Sequence, residues 1–150
     1  SGLDLERAVV CGLELGIAER ALQLSVEYAG MREQFGRKIG DFQMVQGKLA
    51  DMYTLTEAMR TFTYRVLAAG NNLGIGCGGR GEYHKLTASA VLFAAESLNK
   101  ILNDAMQIHG GYGYMWETEI NRLYRTIKLL EIGAGTSEVR RIIIAEELLK

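Results

Sequence analysis

The chain has 150 residues, 48% of them hydrophobic, with 17 basic and 18 acidic side chains for a formal net charge of −1. That length suits one domain with an ordinary core, and the balanced charge argues against a protein that follows nucleic acid or an anionic membrane. Two cysteines, Cys11 and Cys77, and two histidines, His84 and His109, are not clustered at metal-ligand spacing, so neither a disulfide framework nor a metal site is expected and a reducing compartment fits. The apolar runs are broken by charge short of a membrane span, and residues 1 to 7 lack the layout of a signal peptide. No proline is present, which leaves long helices uninterrupted and predicts an all-α domain.

From about residue 4 to residue 30, Leu5, Val9, Leu13, Ile17, Ala21 and Leu24 recur at steps of four or three. This spacing predicts one long amphipathic helix with that row inward. A turn around residues 36 to 40 follows. Val45, Leu49, Met52, Leu55, Met59, Phe62, Val66 and Ala69 then repeat with nearly heptad spacing, the seam of a bundle helix. Residues 70 to 81 hold six glycines and read as a connection, because the helical pattern resumes at about Tyr83 with Leu86, Ala90, Ala94, Leu98, Ile101, Ala105 and Ile108 inward. That third helix stops at Gly110-Gly111, where glycine tolerates positive φ. Ile120, Leu123, Ile127 and Leu130 predict a shorter fourth helix, and Val139, Ile142, Ile143 and Leu149 a fifth. The expected architecture is an up-and-down helical bundle.

Several positions could carry chemistry, and each also has a plain reading. Gly74 to Gly79 satisfies G-x-G-x-x-G, but it follows a helix with no strand before it, so it reads as a loop and not a dinucleotide site. In Gly133-Ala134-Gly135-Thr136, Thr136 can cap the next helix, whose free N–H groups can bind an oxyanion; a glycine-rich helix connector is an equal alternative. Glu6 stands where a helix dipole favours a carboxylate, and alone it reads as a surface or salt-bridge residue. Arg32, Gln43 and Gln107 flank turns as scattered polar residues would. His84 and His109 read as a helix-start and a helix-end residue.

Three stretches taken together change the weighting. "REQFGRKIGDFQ" at 32 to 43, "QIHGGYGY" at 107 to 114 and "EIGAGTSEVRR" at 131 to 141 resemble, in the same order, the C-terminal helical domain of the acyl-CoA dehydrogenases. The resemblance runs over essentially all 150 residues and is nearest to the isovaleryl-type branch, whose "LDLER" start is matched by residues 3 to 7. Such enzymes are FAD-dependent and oxidise acyl-CoA thioesters to α,β-enoyl products. In most members the loop aligned with residues 132 to 136 reads Ile-Tyr-Glu-Gly-Thr and carries the catalytic glutamate. Here those positions are Ile132, Gly133, Ala134, Gly135 and Thr136. In the isovaleryl-type and long-chain-type branches the base comes instead from the first long helix, at the position matched by Glu6.

The resemblance therefore implies Glu6 as the base for the α-proton, with hydride passing to flavin N5. It implies the Ala134 N–H as a donor to the thioester oxygen, and acyl-CoA contacts at Asp4, Leu5, Glu6, Arg7, Gly133, Ala134 and Gly135. Gly133 replaces a tyrosine of the straight-chain enzymes, so a short branched acyl group such as isovaleryl is expected; a longer straight chain is the alternative. FAD contacts are implied at Arg32, Gln43, Gln107, Ile108, His109, Gly110, Gly111, Thr136, Ser137 and Glu138, with Arg32 suited to a pyrophosphate and often serving the FAD of a neighbouring subunit. A dimer of dimers follows, with an electron-transfer flavoprotein as acceptor or oxygen if the chain is an oxidase-like relative. The family's N-terminal helical domain and middle β-domain are not among these residues, so the 150-residue piece alone is expected to bind FAD poorly and to have no turnover. An oligomerisation bundle without catalysis is the reading from another class. The expected place is the cytoplasm of a bacterium or the mitochondrial matrix of a eukaryote.

Overall fold

A computed structural model describes residues 2–71 and 80–150. The glycine-rich motif at residues 74 to 79 lies outside the described residues. The first helix, α1, runs Gly2–Met31. It leads into a small antiparallel hairpin of β1 (Glu33–Gln34) and β2 (Arg37–Lys38), with Glu33 opposite Lys38 and Gln34 opposite Arg37. Phe35 and Gly36 take φ of 55° and 79° at its tip, as a two-residue hairpin turn of the primed type requires. A 3-10 turn over Ile39–Asp41 delivers the chain to α2 (Gln43–Gly70). Then come α3 (Glu82–His109), a single turn α4 (Gly111–Tyr114), α5 (Glu119–Ile132) and α6 (Ser137–Leu148). The all-α class and the bundle are as the periodicity predicts. The one-turn α4 leaves no periodic signal in the sequence, since four residues are too few to show a helical period.

Helix α3 is the centre of the bundle and packs against α1, α2, α5 and α6. Its Leu98, Ile101, Leu102 and Ala105 are sealed against Met52 and Met59 of α2, Ala18 and Ala21 of α1, and Ile120 and Ile127 of α5. A second, smaller cluster joins Ala8 and Cys11 of α1 to Val66 of α2 and Ala90 and Val91 of α3. The inner rows predicted for α2, α3 and α5 are the ones that face the core.

The predicted inner row of α1 is correct only in its second half. Ile17 and Ala21 are buried, but Leu5, Val9 and Leu13 are 59%, 68% and 55% exposed. The buried row is Asp4, Arg7, Ala8, Cys11, Glu14, Leu15 and Ala18. Small residues there let α1 approach the equally small Ala88, Ala90 and Val91 surface of α3, and the three charged residues find partners or neighbours beneath them. Helix α6 departs in the same way. Val139, Ile142 and Leu149 are exposed, whereas Ser137 and Arg140 are buried.

Candidate functional site

The turn between α5 and α6 is tightly built. Gly133 closes α5 by donating its N–H to Leu129 O at 2.7 Å, Ala134 takes φ of 55° and Gly135 φ of 97°, and the Thr136 hydroxyl accepts the Val139 N–H at 3.3 Å as the N-cap of α6. A left-handed alanine costs about 1 kcal/mol, so something must hold it. Two buried guanidiniums do. Arg7 Nε donates to Ala134 O at 3.1 Å. Arg140 Nη2 donates to Gly133 O at 2.6 Å and to Leu130 O at 2.9 Å, with Nη1 reaching Val91 O at 3.5 Å. Each of the two carbonyls that follow α5 thus ends on a cation.

Each arginine has an acidic neighbour on the inner face of α1. The fully buried Asp4 meets Arg7 at 3.3 Å, His84 Nδ1 at 2.6 Å and the Thr87 hydroxyl at 3.5 Å. His84 is a helix-start residue as expected, and it is also the outer partner of this carboxylate. Glu14 feels the charge of Arg140 but has no hydrogen bond among the described residues, and burial pushes its pKa up to about 8. Periodicity could not reveal Glu14 or Arg140, because a charged residue in an amphipathic helix reads as solvated. Of the predicted substrate contacts on α1, Asp4 and Arg7 are sealed while Leu5 and Glu6 are exposed. The Glu6 carboxylate, one residue and about 100° around the helix from Arg7, therefore opens to solvent on the same end of α1 that grips the turn. No hydrogen bond holds it among the described residues.

The predicted cofactor residues fall into separate places. Arg32, Ile108, His109, Gly110 and Gly111 come together, with Tyr28 and Gln34, in a cleft of about 670 Å³. His109 forms part of its floor: Nδ1 donates to Ala105 O at 2.8 Å, the ring stacks on Tyr28 at 4.5 Å, and desolvation lowers its pKa, which favours the neutral imidazole. It is the helix-end residue expected. Gln107 is exposed beside the same helix end, and Gln43 lies apart, in a cleft with Arg37, Asp41 and Phe42. Thr136, Ser137 and Glu138 line another cleft with Glu96, Lys128, Glu131 and Arg141. There the buried Ser137 hydroxyl has no partner among the described residues. Glu6 and Arg32 are separated by nearly the whole of α1, roughly 39 Å at 1.5 Å per residue.

The model of the acyl-CoA dehydrogenase C-terminal domain matches residues 1–149. The chain is 47% identical over 150 residues to the mitochondrial isovaleryl-CoA dehydrogenase of Oryza sativa subsp. japonica, covering all of this chain and 35% of that protein. It is 43% identical to the mitochondrial 2-methylacyl-CoA dehydrogenase of Solanum tuberosum, with the same coverage. The butyryl-CoA dehydrogenase structure from Megasphaera elsdenii superposes with a TM-score of 0.90 at 35% identity, over 99% of this chain and 37% of that one. The chain therefore spans about a third of the length of the relatives it matches.

Proposed function

We propose, from the premise that this chain belongs to the acyl-CoA dehydrogenase family, that it serves as the C-terminal helical domain of a flavoenzyme that dehydrogenates an acyl-CoA across its α,β bond. The observation that carries the reading is the pairing of two features. The turn at 133 to 135 has no carboxylate, and an exposed glutamate stands on the helix end that grips that turn through Arg7. Glu6 removes the α-proton, a role open to its exposed carboxylate, which no hydrogen bond holds among the described residues. The Ala134 N–H donates to the thioester oxygen as negative charge develops there. Leu5 shares the exposed end with Glu6, whereas Asp4 and Arg7 act from below by holding the turn.

The residues present fit FAD. Arg32 offers a guanidinium at a cleft that Gly110 and Gly111 also line, suited to a pyrophosphate, and Ser137 has a buried hydroxyl to satisfy at the start of α6. Bound FAD supplies the hydride acceptor. The roughly 39 Å of helix rise between Glu6 and Arg32 supports assigning Arg32 to the FAD of a neighbouring subunit and hence a homo-oligomer, which this reading takes as a dimer of dimers. An electron-transfer flavoprotein is the acceptor in this reading. Glycine at 133 where the straight-chain enzymes have a tyrosine, together with the identity to an isovaleryl-CoA dehydrogenase, supports a short branched substrate.

The test is anaerobic bleaching of flavin absorbance in the enzyme that carries this domain, with isovaleryl-CoA and straight-chain acyl-CoAs compared. Fast bleaching that is greatest with the branched substrate, and that falls by about 10³-fold or more in Glu6→Gln, is the expected result. Wild-type rate in the variant would remove Glu6 from its role, and a preference for medium straight chains would remove the branched assignment.

A further inference from the structure

The Gly133–Ala134 peptide unit carries a bond that the proposed chemistry does not yet use. Its carbonyl accepts from Arg140 Nη2 at 2.6 Å, and that guanidinium is fully buried. In a trans peptide the C=O and N–H point in opposite directions. With the Gly133 carbonyl drawn inward to Arg140, the Ala134 N–H is aimed away from it, and it has no acceptor among the described residues. A cation on the carbonyl side also polarises the amide and strengthens its N–H as a donor. Arg140 is itself fixed, since the same guanidinium binds Leu130 O on α5 and Val91 O on α3.

We propose that Arg140 is a positioning residue for the dehydrogenation, which aims and polarises the Ala134 N–H toward the thioester oxygen by binding the Gly133 carbonyl. The inference rests on the role given to Ala134 above. Arg140 does not touch substrate. Its effect passes through one peptide bond, so it belongs to the transition state more than to binding: kcat should fall while KM moves little.

The experiment uses the FAD-loaded enzyme carrying this domain, with Arg140→Gln and Arg140→Lys. Infrared difference spectra of isovaleryl-CoA labelled with ¹³C at the thioester carbon are recorded in a Glu6→Gln background, where the substrate is not consumed, and kcat and KM are measured with Glu6 intact. The expected result is a carbonyl stretch lowered by binding in the parent and returned toward the free-substrate position in Arg140→Gln. Its kcat should be lower by about 10²- to 10³-fold, the scale of a lost oxyanion donor. Lysine, which restores a cation but not the fork, should recover part of both. If Arg140→Gln does not fold, Arg140→Lys decides alone: an intermediate stretch supports the proposal and an unchanged one overturns it. Folded variants that keep the parent's stretch overturn it too, even if their kcat falls, because only a scaffold role would then remain. A parent with no flavin bleaching and no shifted stretch would overturn the dehydrogenase reading itself.

Discussion

Glu14 is fully buried and neither of its oxygens is hydrogen-bonded among the described residues. Desolvation raises its pKa from 4.5 to about 8, and the attraction of Arg140 offsets only part of that. The folded chain therefore holds this proton more tightly than the unfolded chain does. The corresponding stability is complete below pH 4.5 and is lost as pH rises through about 8. Across that window the loss should be on the order of a few kcal/mol. The thermal midpoint of the protein should accordingly fall from pH 5 to pH 8, and Glu14→Gln should flatten the trend and raise stability at the alkaline end. A variant with the same pH slope as wild type would show that Glu14 finds a partner in solution. Arg7 and Asp4 are the contrasting case, a buried pair whose members are both hydrogen-bonded; removing Asp4 leaves the buried Arg7 guanidinium without its carboxylate and costs more.

At the scale of elements, the α3–α4–α5 corner is where one methyl group should matter most. A Cβ on Gly113 would lie 2.8 Å from His109 Cβ and 3.1 Å from Met106 O. The Gly113 carbonyl also accepts from the Asn121 side chain at 3.2 Å. Gly113→Ala should therefore cost about 1–3 kcal/mol as overpacking and push His109 off Tyr28 at the edge of the Arg32 cleft. Chemical denaturation together with FAD retention checks this, and an unchanged midpoint would mean that the corner yields without strain. The N-cap at Thr136 follows from local rules, because a threonine after a glycine turn and before Ser137-Glu138 is favoured at a helix start. The inward face of α1 was not. Both of its rows satisfy a helical period, and the bulkier one is exposed because the smaller one permits close approach to α3.

For the whole molecule the controlling fact is the length of α1, which carries Glu6 at one end and Arg32 just past the other. If Arg32 serves a neighbouring subunit's FAD, two separately inactive variants should complement each other. A hybrid dimer of Glu6→Gln and Arg32→Glu subunits keeps one site with both residues intact. Random co-assembly should therefore restore on the order of a quarter of wild-type sites. Activity of the co-expressed mixture, against each variant alone, is the measurement. No recovery would place Arg32 and Glu6 in service of the same subunit's site, which the helix length argues against.

The sequence by itself determined the class of fold, the number and order of the long helices, the position of the turns and the capping threonine. These follow from local rules of proline absence, glycine placement and spacing at three or four residues, and its three motifs carried the family resemblance. The tertiary structure decided which row of α1 and of α6 is buried, and it joined Arg7 to Ala134 across 127 residues of chain. It also turned Arg140 inward to the Gly133 carbonyl. The physical reason is range. A helical period registers neighbours one turn apart, whereas the gripping of the turn depends on how closely α1, α3 and α6 approach, and that distance is set by small side chains on facing helices.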